Sequence, residues 1–98
     1  MSANIEDLNV VHNEDKNRFE VQLGDRLAMV EYIPAKQNIV FTHTEVPPEF
    51  EGRGVGKKLA KYALDYAVEH GLKIQALCPF IAAYVKRHPE YQPHTWGY

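Results

Sequence analysis

The chain has 98 residues, 45% hydrophobic and 24% charged, with a single cysteine and a formal net charge of −2. Such a length bounds it to one domain, 1–98, and the composition is that of an ordinary globular chain that can bury one core without staples. A near-neutral charge with no basic run beyond Lys57-Lys58 argues against nucleic acid as the main partner, and one cysteine excludes an internal disulfide and a Cys-rich zinc module.

Met1 to Asp7 is polar, and a frayed end is expected there. Leu8 to His12 holds a short β-prone run, and Asn13 to Asn17 is a turn cluster. Phe19, Val21 and Leu23 alternate with Glu20 and Gln22, which predicts a half-buried strand. Gly24-Asp25 places glycine first, as a type II′ hairpin requires, and Leu27 to Ile33 is the returning strand. After a second turn, Pro34 to Asn38, the β-branched stretch Ile39 to Val46 completes an antiparallel meander. A helix is predicted from about Arg53 to His70. Val55, Leu59, Tyr62, Ala63 and Tyr66 share one face of it, and Lys58, Lys61, Asp65 and Glu69 line the other.

Gly71 follows the last periodic residue, as a helix C′ glycine does. Leu72 to Leu77 then alternates apolar residues with Lys73 and Gln75. A strand directly after the helix implies parallel pairing with the strand before it. Pro79 opens a second helix, Phe80 to His88, that stops before Pro89, and Tyr91 to Tyr98 is a tail or a short edge strand. The fold class is α/β (α+β), a mixed sheet with an antiparallel meander first. Neither a signal-type apolar region nor a long apolar run is present, so a soluble, cytoplasmic protein without a membrane partner is expected.

One junction stands apart from this pattern. Gly52, Gly54 and Gly56 fall where strand hands over to helix, and each glycine inside a helix costs roughly 0.5–1 kcal/mol against alanine. Arg53, Lys57 and Lys58 add cations where a helix already carries partial positive charge. Absent side chains, free N–H groups and excess positive charge together describe a phosphate cradle. It is neither a P-loop nor a dinucleotide fingerprint, because Lys57 stands where each motif needs its next glycine.

The stretch resembles the pyrophosphate loop of the GNAT superfamily of acetyl-CoA-dependent N-acyltransferases, (Q/R)-x-x-G-x-(G/A). Gly54 and Gly56 match that pattern, and the flanks Val46, Pro48-Glu49-Phe50 and Gly52-Arg53-Gly54-Val55-Gly56 are similar; Glu51 departs from it, standing where Arg or Gln is usual. The likeness runs from about Phe19 to Tyr91. It implies a minimal GNAT fold in which Asn13 to Arg18 replaces the two helices usual after the first strand. Small single-domain proteins of this kind carry a Cys-Pro pair after the strand that follows the cofactor helix, here Leu77-Cys78-Pro79-Phe80. The resemblance further implies acetyl-CoA or coenzyme A as cofactor, bound by Val46, Glu51, Gly52, Arg53, Gly54, Val55, Gly56 and Lys57. Its pantetheine arm would enter between two splayed strands, with a backbone N–H near Val46 polarising the acetyl carbonyl.

Acyl transfer to an amine needs a proton acceptor, a polarised carbonyl and a stabilised leaving thiolate. His43 and Glu45 lie two apart on one strand and so share a face; each is either a base for the amine or a solvated surface group. Cys78 is a buried small hydrophobe, a nucleophile that accepts the acyl group covalently with His43 as its base, or a group lining the thioester pocket, and a helix beginning near Pro79 would place positive partial charge beside it. Tyr84 resembles the tyrosine that GNAT enzymes use as general acid, with a packing role as the alternative. No spacing of His12, His43, His70, His88, His94 and Cys78 suggests a metal site. Two functions are expected: an N-acetyltransferase for an exposed amine of a protein, peptide or small polyamine, and a CoA-binding or interaction module with little catalysis.

Overall fold

The computed structural model describes residues 8–98, so the expectation for Met1 to Asp7 lies outside the described residues. Its strands are β1 (Val11–Asn13), β2 (Arg18–Leu23), β3 (Arg26–Pro34), β4 (Asn38–Glu45) and β5 (Lys73–Ala76); its helices are α1 (Val55–Glu69) and α2 (Pro79–Arg87). The strands form one five-stranded sheet in sequence order. The first three pairings are antiparallel, and β4 pairs with β5 in parallel, as a strand-helix-strand crossover demands.

Local chemistry explains the connections. The β2–β3 hairpin closes at Leu23↔Arg26 over Gly24-Asp25, and Gly24 supplies the positive φ of 63° that the first turn position requires. Helix α1 ends in a Schellman motif: Leu72 N–H donates to Ala67 O at 2.8 Å and Gly71 N–H to Val68 O at 3.1 Å, with Gly71 at φ 67°.

Register puts Phe19, Val21, Ala28, Val30, Tyr32, Ile39, Phe41 and Ile74 on one face, where Leu59, Leu64, Ile81 and Val85 of the helices join them in a single core. Both helices therefore cover the same side. The other face shows Glu20, Gln22, Glu31, Ile33 and Gln75, and no helix covers it among the described residues. No helix among them is long and apolar enough to cross a membrane.

The buried stripe of α1 differs from the expected one. Val55, Leu59, Ala60, Ala63, Leu64 and Ala67 are buried, whereas Tyr62 is 45% exposed. Small alanines let the helix lie close to the sheet, and the tyrosines flank it. Tyr62 and Tyr66 meet the Phe19 ring edge-on, at 5.8 Å and 5.4 Å between centroids. Tyr91 to Tyr98 is not a full edge strand either. Pro89–His94 forms a 3₁₀ turn, after which Thr95 makes one parallel bridge to Ile74. The prolines Pro89 and Pro93 cannot donate to a ladder, which limits the pairing.

That turn is anchored on α1. Tyr91 Oη donates to Asp65 Oδ1 at 2.6 Å, and Lys61 Nζ donates to Asp65 Oδ2 at 2.8 Å. Partial burial works against the carboxylate, but the two donors outweigh it and hold the Asp65 pKa below its ordinary value. A carboxyl with a lowered folded-state pKa contributes stability above the unfolded value near about 4, and loses it as pH falls through the folded value. Tyr91→Phe is therefore expected to lower stability by about 1 kcal/mol at neutral pH, with the deficit shrinking below about pH 4. Urea denaturation of both proteins at pH 7 and at pH 3 checks this; an equal deficit at the two pH values would exclude the Asp65 pair as its source.

Candidate functional site

The site begins where β4 and β5 part. Their last register pair is Phe41↔Ala76, and beyond it the Phe41 carbonyl accepts N–H bonds from both Leu77, at 3.0 Å, and Cys78, at 2.9 Å. One acceptor absorbing two donors ends the ladder. Residues 42–45 of β4 have no partner in β5, and a wedge opens between the strands.

A bulge decides which side chains face that wedge. The β3–β4 register passes from Glu31↔His43 to Tyr32↔Phe41, leaving Thr42 as the extra residue. Its hydroxyl donates to Glu31 O at 3.3 Å. Phe41 and Thr44 consequently both face the helices, while His43 and Glu45 face the uncovered side. Thr44 Oγ1 lies 3.2 Å from Cys78 Sγ, across the mouth of the wedge. β5 stops at Ala76, short of Cys78, and Thr44 is the β4 residue that meets the thiol.

The chain then crosses to α1 through a 3₁₀ turn, Pro48–Phe50, and the glycine run. Gly52 has φ 77°, and Gly54, the N-cap of α1, has φ 89° and ψ 0°. Residues with a Cβ avoid that region at a cost of roughly 1–2 kcal/mol. The backbone is thereby turned so that the amides of Val55, Gly56 and Lys57 precede the first helical bond, Lys58 N–H to Gly54 O at 3.0 Å. No side chain caps this end and no acidic residue occupies its first turn. Lys57 is exposed and forms no ion pair or hydrogen bond among the described residues. Uncapped amides, the helix dipole and a cation together suit a phosphate-bearing ligand.

A cleft of about 380 Å³ joins the two halves; Thr44, Val46, Phe50, Glu51, Gly52, Gly54, Gly56, Lys57 and Phe80 line it. It has a polar amide end and an apolar wall of Val46, Phe50 and Phe80. Gly56 has a second reason to be glycine: a Cβ there would sit 2.8 Å from the Phe80 Cζ, so its bareness lets α2 approach α1. Arg53 lies outside the cleft lining, its guanidinium 5.7 Å from the Phe50 ring centroid. Val55, expected among the cofactor-binding residues, is buried in the core and outside the cleft lining.

On the other side of β4 lies a groove of about 510 Å³, which shares Thr44, Val46 and Glu51 with the cleft. His43 and Glu45 line it, with His43 Nε2 4.0 Å from Glu45 Oε1 and both side chains more than half exposed. Arg26 in the same groove is bound to Glu49 at 2.9 Å.

Cys78 is 3% exposed, is the N-cap of α2 and does not line the cleft. Tyr84 lies in a third groove with Lys57, Phe80, Arg87 and His88. Its ring stacks on His88 at 3.8 Å, and burial, with help from the Asp65 and Glu90 carboxylates, raises its hydroxyl pKa above the ordinary value. The structure therefore brings the glycine loop and Val46 together, sets His43 and Glu45 on the far side of the same strand, and leaves Tyr84 apart. Sequence reasoning missed Thr44, Phe50 and Phe80. Strict alternation from Phe41 would have turned His43 inward, and only the bulge brings Thr44 to the cleft.

Residues 18–94 match the family model described as GCN5-related N-acetyl-transferase. Protein NATD1 of Xenopus tropicalis is 39% identical over 85 residues, covering 84% of this chain and 78% of that protein. Protein NATD1 of Danio rerio is 35% identical over 89 residues, covering 86% of this chain and 81% of that one. The NMR solution structure of a GCN5-like protein of Staphylococcus aureus superposes with a TM-score of 0.73 at 30% identity, over 99% of this chain and 93% of that one. With the wedge between parallel strands and the glycine loop leading into α1, these likenesses show that the chain belongs to the GCN5-related N-acetyltransferase family.

Proposed function

We propose that the protein transfers an acetyl group from acetyl-CoA to an exposed amine of a protein, peptide or small polyamine. The observation that carries this reading is the uncapped, acid-free start of α1, opening on Gly54 in a left-handed conformation and adjoining a cleft that reaches Thr44 and Val46 beside the parted strands. A pyrophosphate fits amides and Lys57; a pantetheine arm fits the apolar wall of Val46, Phe50 and Phe80.

Acetyl-CoA, when bound, supplies an acyl group on a good leaving thiolate. The chain's own part is positioning and proton handling. The amides of Gly56 and Lys57 would hold phosphate oxygens, and Val46 would contribute a backbone N–H at the strand edge. His43 and Glu45, on the groove side, would remove the proton of an amine arriving there. That groove is open because no helix walls it among the described residues, which favours a large or extended acceptor over an enclosed metabolite.

One observation supports the second reading, a CoA-binding module with weak catalysis. Glu51 lines the phosphate cleft, where a carboxylate repels the ligand. Turnover separates the two readings: binding of acetyl-CoA without acetyl transfer to any amine of a peptide and polyamine panel would favour the module.

Two outcomes are expected of the transferase. Calorimetric titration with acetyl-CoA should show binding by the wild type, a roughly tenfold weaker Kd for Lys57→Ala, and none for Gly54→Glu. A far-ultraviolet circular dichroism spectrum unchanged in Lys57→Ala keeps the comparison about binding; no heat with the folded wild type would refute the cradle. With an accepting amine in hand, Glu45→Gln or His43→Gln should lower kcat/KM by about 10²-fold or more at an unchanged acetyl-CoA Kd. Full activity in the double variant would remove both residues from proton transfer.

A further inference from the structure

We infer that Thr44 is a catalytic residue whose hydroxyl donates a hydrogen bond to the thioester sulfur as it leaves, with the Cys78 thiol positioning that hydroxyl. The inference rests on the acetyl-CoA reading above and gives the leaving-group role to a residue of β4.

Three observations support it. The bulge at Thr42 turns Thr44 into the cleft, on its strand side, while the glycine loop forms the opposite side. Thr44 is the one side-chain hydroxyl among the described residues lining that cleft; Tyr84 belongs to the neighbouring groove and is stacked on His88. Thirdly, Thr44 Oγ1 has a partner behind it, Cys78 Sγ at 3.2 Å, and that thiol is 3% exposed and outside the cleft lining. A buried S–H donating to Oγ1 leaves the hydroxyl proton free to point forward. A thioester sulfur accepts hydrogen bonds poorly, whereas a departing thiolate accepts them well, so the contact strengthens as charge develops.

The step balances without a further reactant. The amine lone pair forms the new C–N bond, and the C–S bond breaks with both of its electrons going to sulfur. The surplus proton on nitrogen leaves to the base or to water on the groove side. Thr44 keeps its proton throughout and holds the thiolate by an O–H···S⁻ bond, and Cys78 is chemically unchanged.

The test uses bound CoA, so it needs no acceptor. The protein saturated with CoA is titrated while the ultraviolet absorbance of the thiolate is followed, with the CoA-free protein subtracted. Thr44→Val, which keeps the side-chain shape, should raise the pH at which the bound thiol ionises by about one unit, and Thr44→Ser should restore it. The acetyl-CoA Kd should stay within roughly twofold of wild type in both variants, since the thioester ground state gains little from the bond. Identical titrations for wild type and Thr44→Val would overturn the role of Thr44 while leaving acetyl-CoA binding intact. Acetylated Cys78, found by mass spectrometry after incubation with acetyl-CoA, would overturn it in favour of covalent transfer through the thiol. Failure of the folded wild type to bind acetyl-CoA would overturn both this inference and the reading beneath it.

Discussion

The carbonyl of Phe41 is the pivot of the structure. It accepts N–H bonds from Leu77 and Cys78 together, and with that the parallel ladder stops. Continued pairing would have carried β5 alongside Thr42, His43 and Thr44 and closed the space between the strands. Instead the chain turns at Cys78, and Pro79 starts α2 with its φ already set for a helix. The cleft, the exposure of Val46 within it and the contact between Thr44 and Cys78 all follow from that early end. The second constraint acts on the same strand: the extra residue at Thr42 reverses which side chains face inward. One interruption makes the space and the other chooses its lining.

Charge and conformation at the start of α1 complete the arrangement from the opposite side. Helix formation by itself favours a capping oxygen and acidic residues in the first turn. Here a left-handed glycine occupies the N-cap, and Lys57 and Lys58 follow. That start leaves the helix end less stable than it could be, a pattern typical of a place kept for a ligand. Glu51 is compatible with this because the amides that would face a phosphate belong to the backbone. A substitution at Glu51 changes the potential around them and leaves their number and direction unaltered.

Much of the fold was legible because it rests on local chemistry with one dominant period. Strand alternation at Phe19, Val21 and Leu23, the glycine-first hairpin at Gly24 and the C′ glycine at Gly71 each specify a neighbour-scale geometry, and all three stand as expected. The helix face was read less well. Tyr62 fits the 3.6-residue period as well as Leu64 does, and only the tight approach of α1 to the sheet favours Ala60 and Ala67 over the larger tyrosine. The glycine loop was legible for the same reason as the turns, since its composition contradicts its own secondary structure. Thr44 was not. Its role depends on a register shift that is a property of two strands together, and nothing in the composition of β4 announces it. Cys78 was legible as a position and not as a contact, because the partner that meets it lies 34 residues earlier in the chain.

The open face of the sheet bears on how such a small chain could discriminate among acceptors. With no helix over Glu31, Ile33 and Gln75, the groove holding His43 and Glu45 is bounded by β3, β4 and the Pro47-Pro48 turn. A half-open site with no helix over it leaves much of its ligand in solvent, so shape contributes little to selection there. Charge is the remaining means. Arg26 is already neutralised by Glu49, which leaves the carboxylates of Glu45 and Glu51 to set the sign of the groove. Under the transferase reading, an ammonium group flanked by further positive charge is drawn to that sign, and one flanked by a carboxylate is repelled. The cleft on the other side of β4 has the reverse character, with helix amides and Lys57 facing it. Under the same reading the strand separates a cleft for the phosphates from a groove for the amine, with Thr44, Val46 and Glu51 lining both at the point where an acyl group would have to pass.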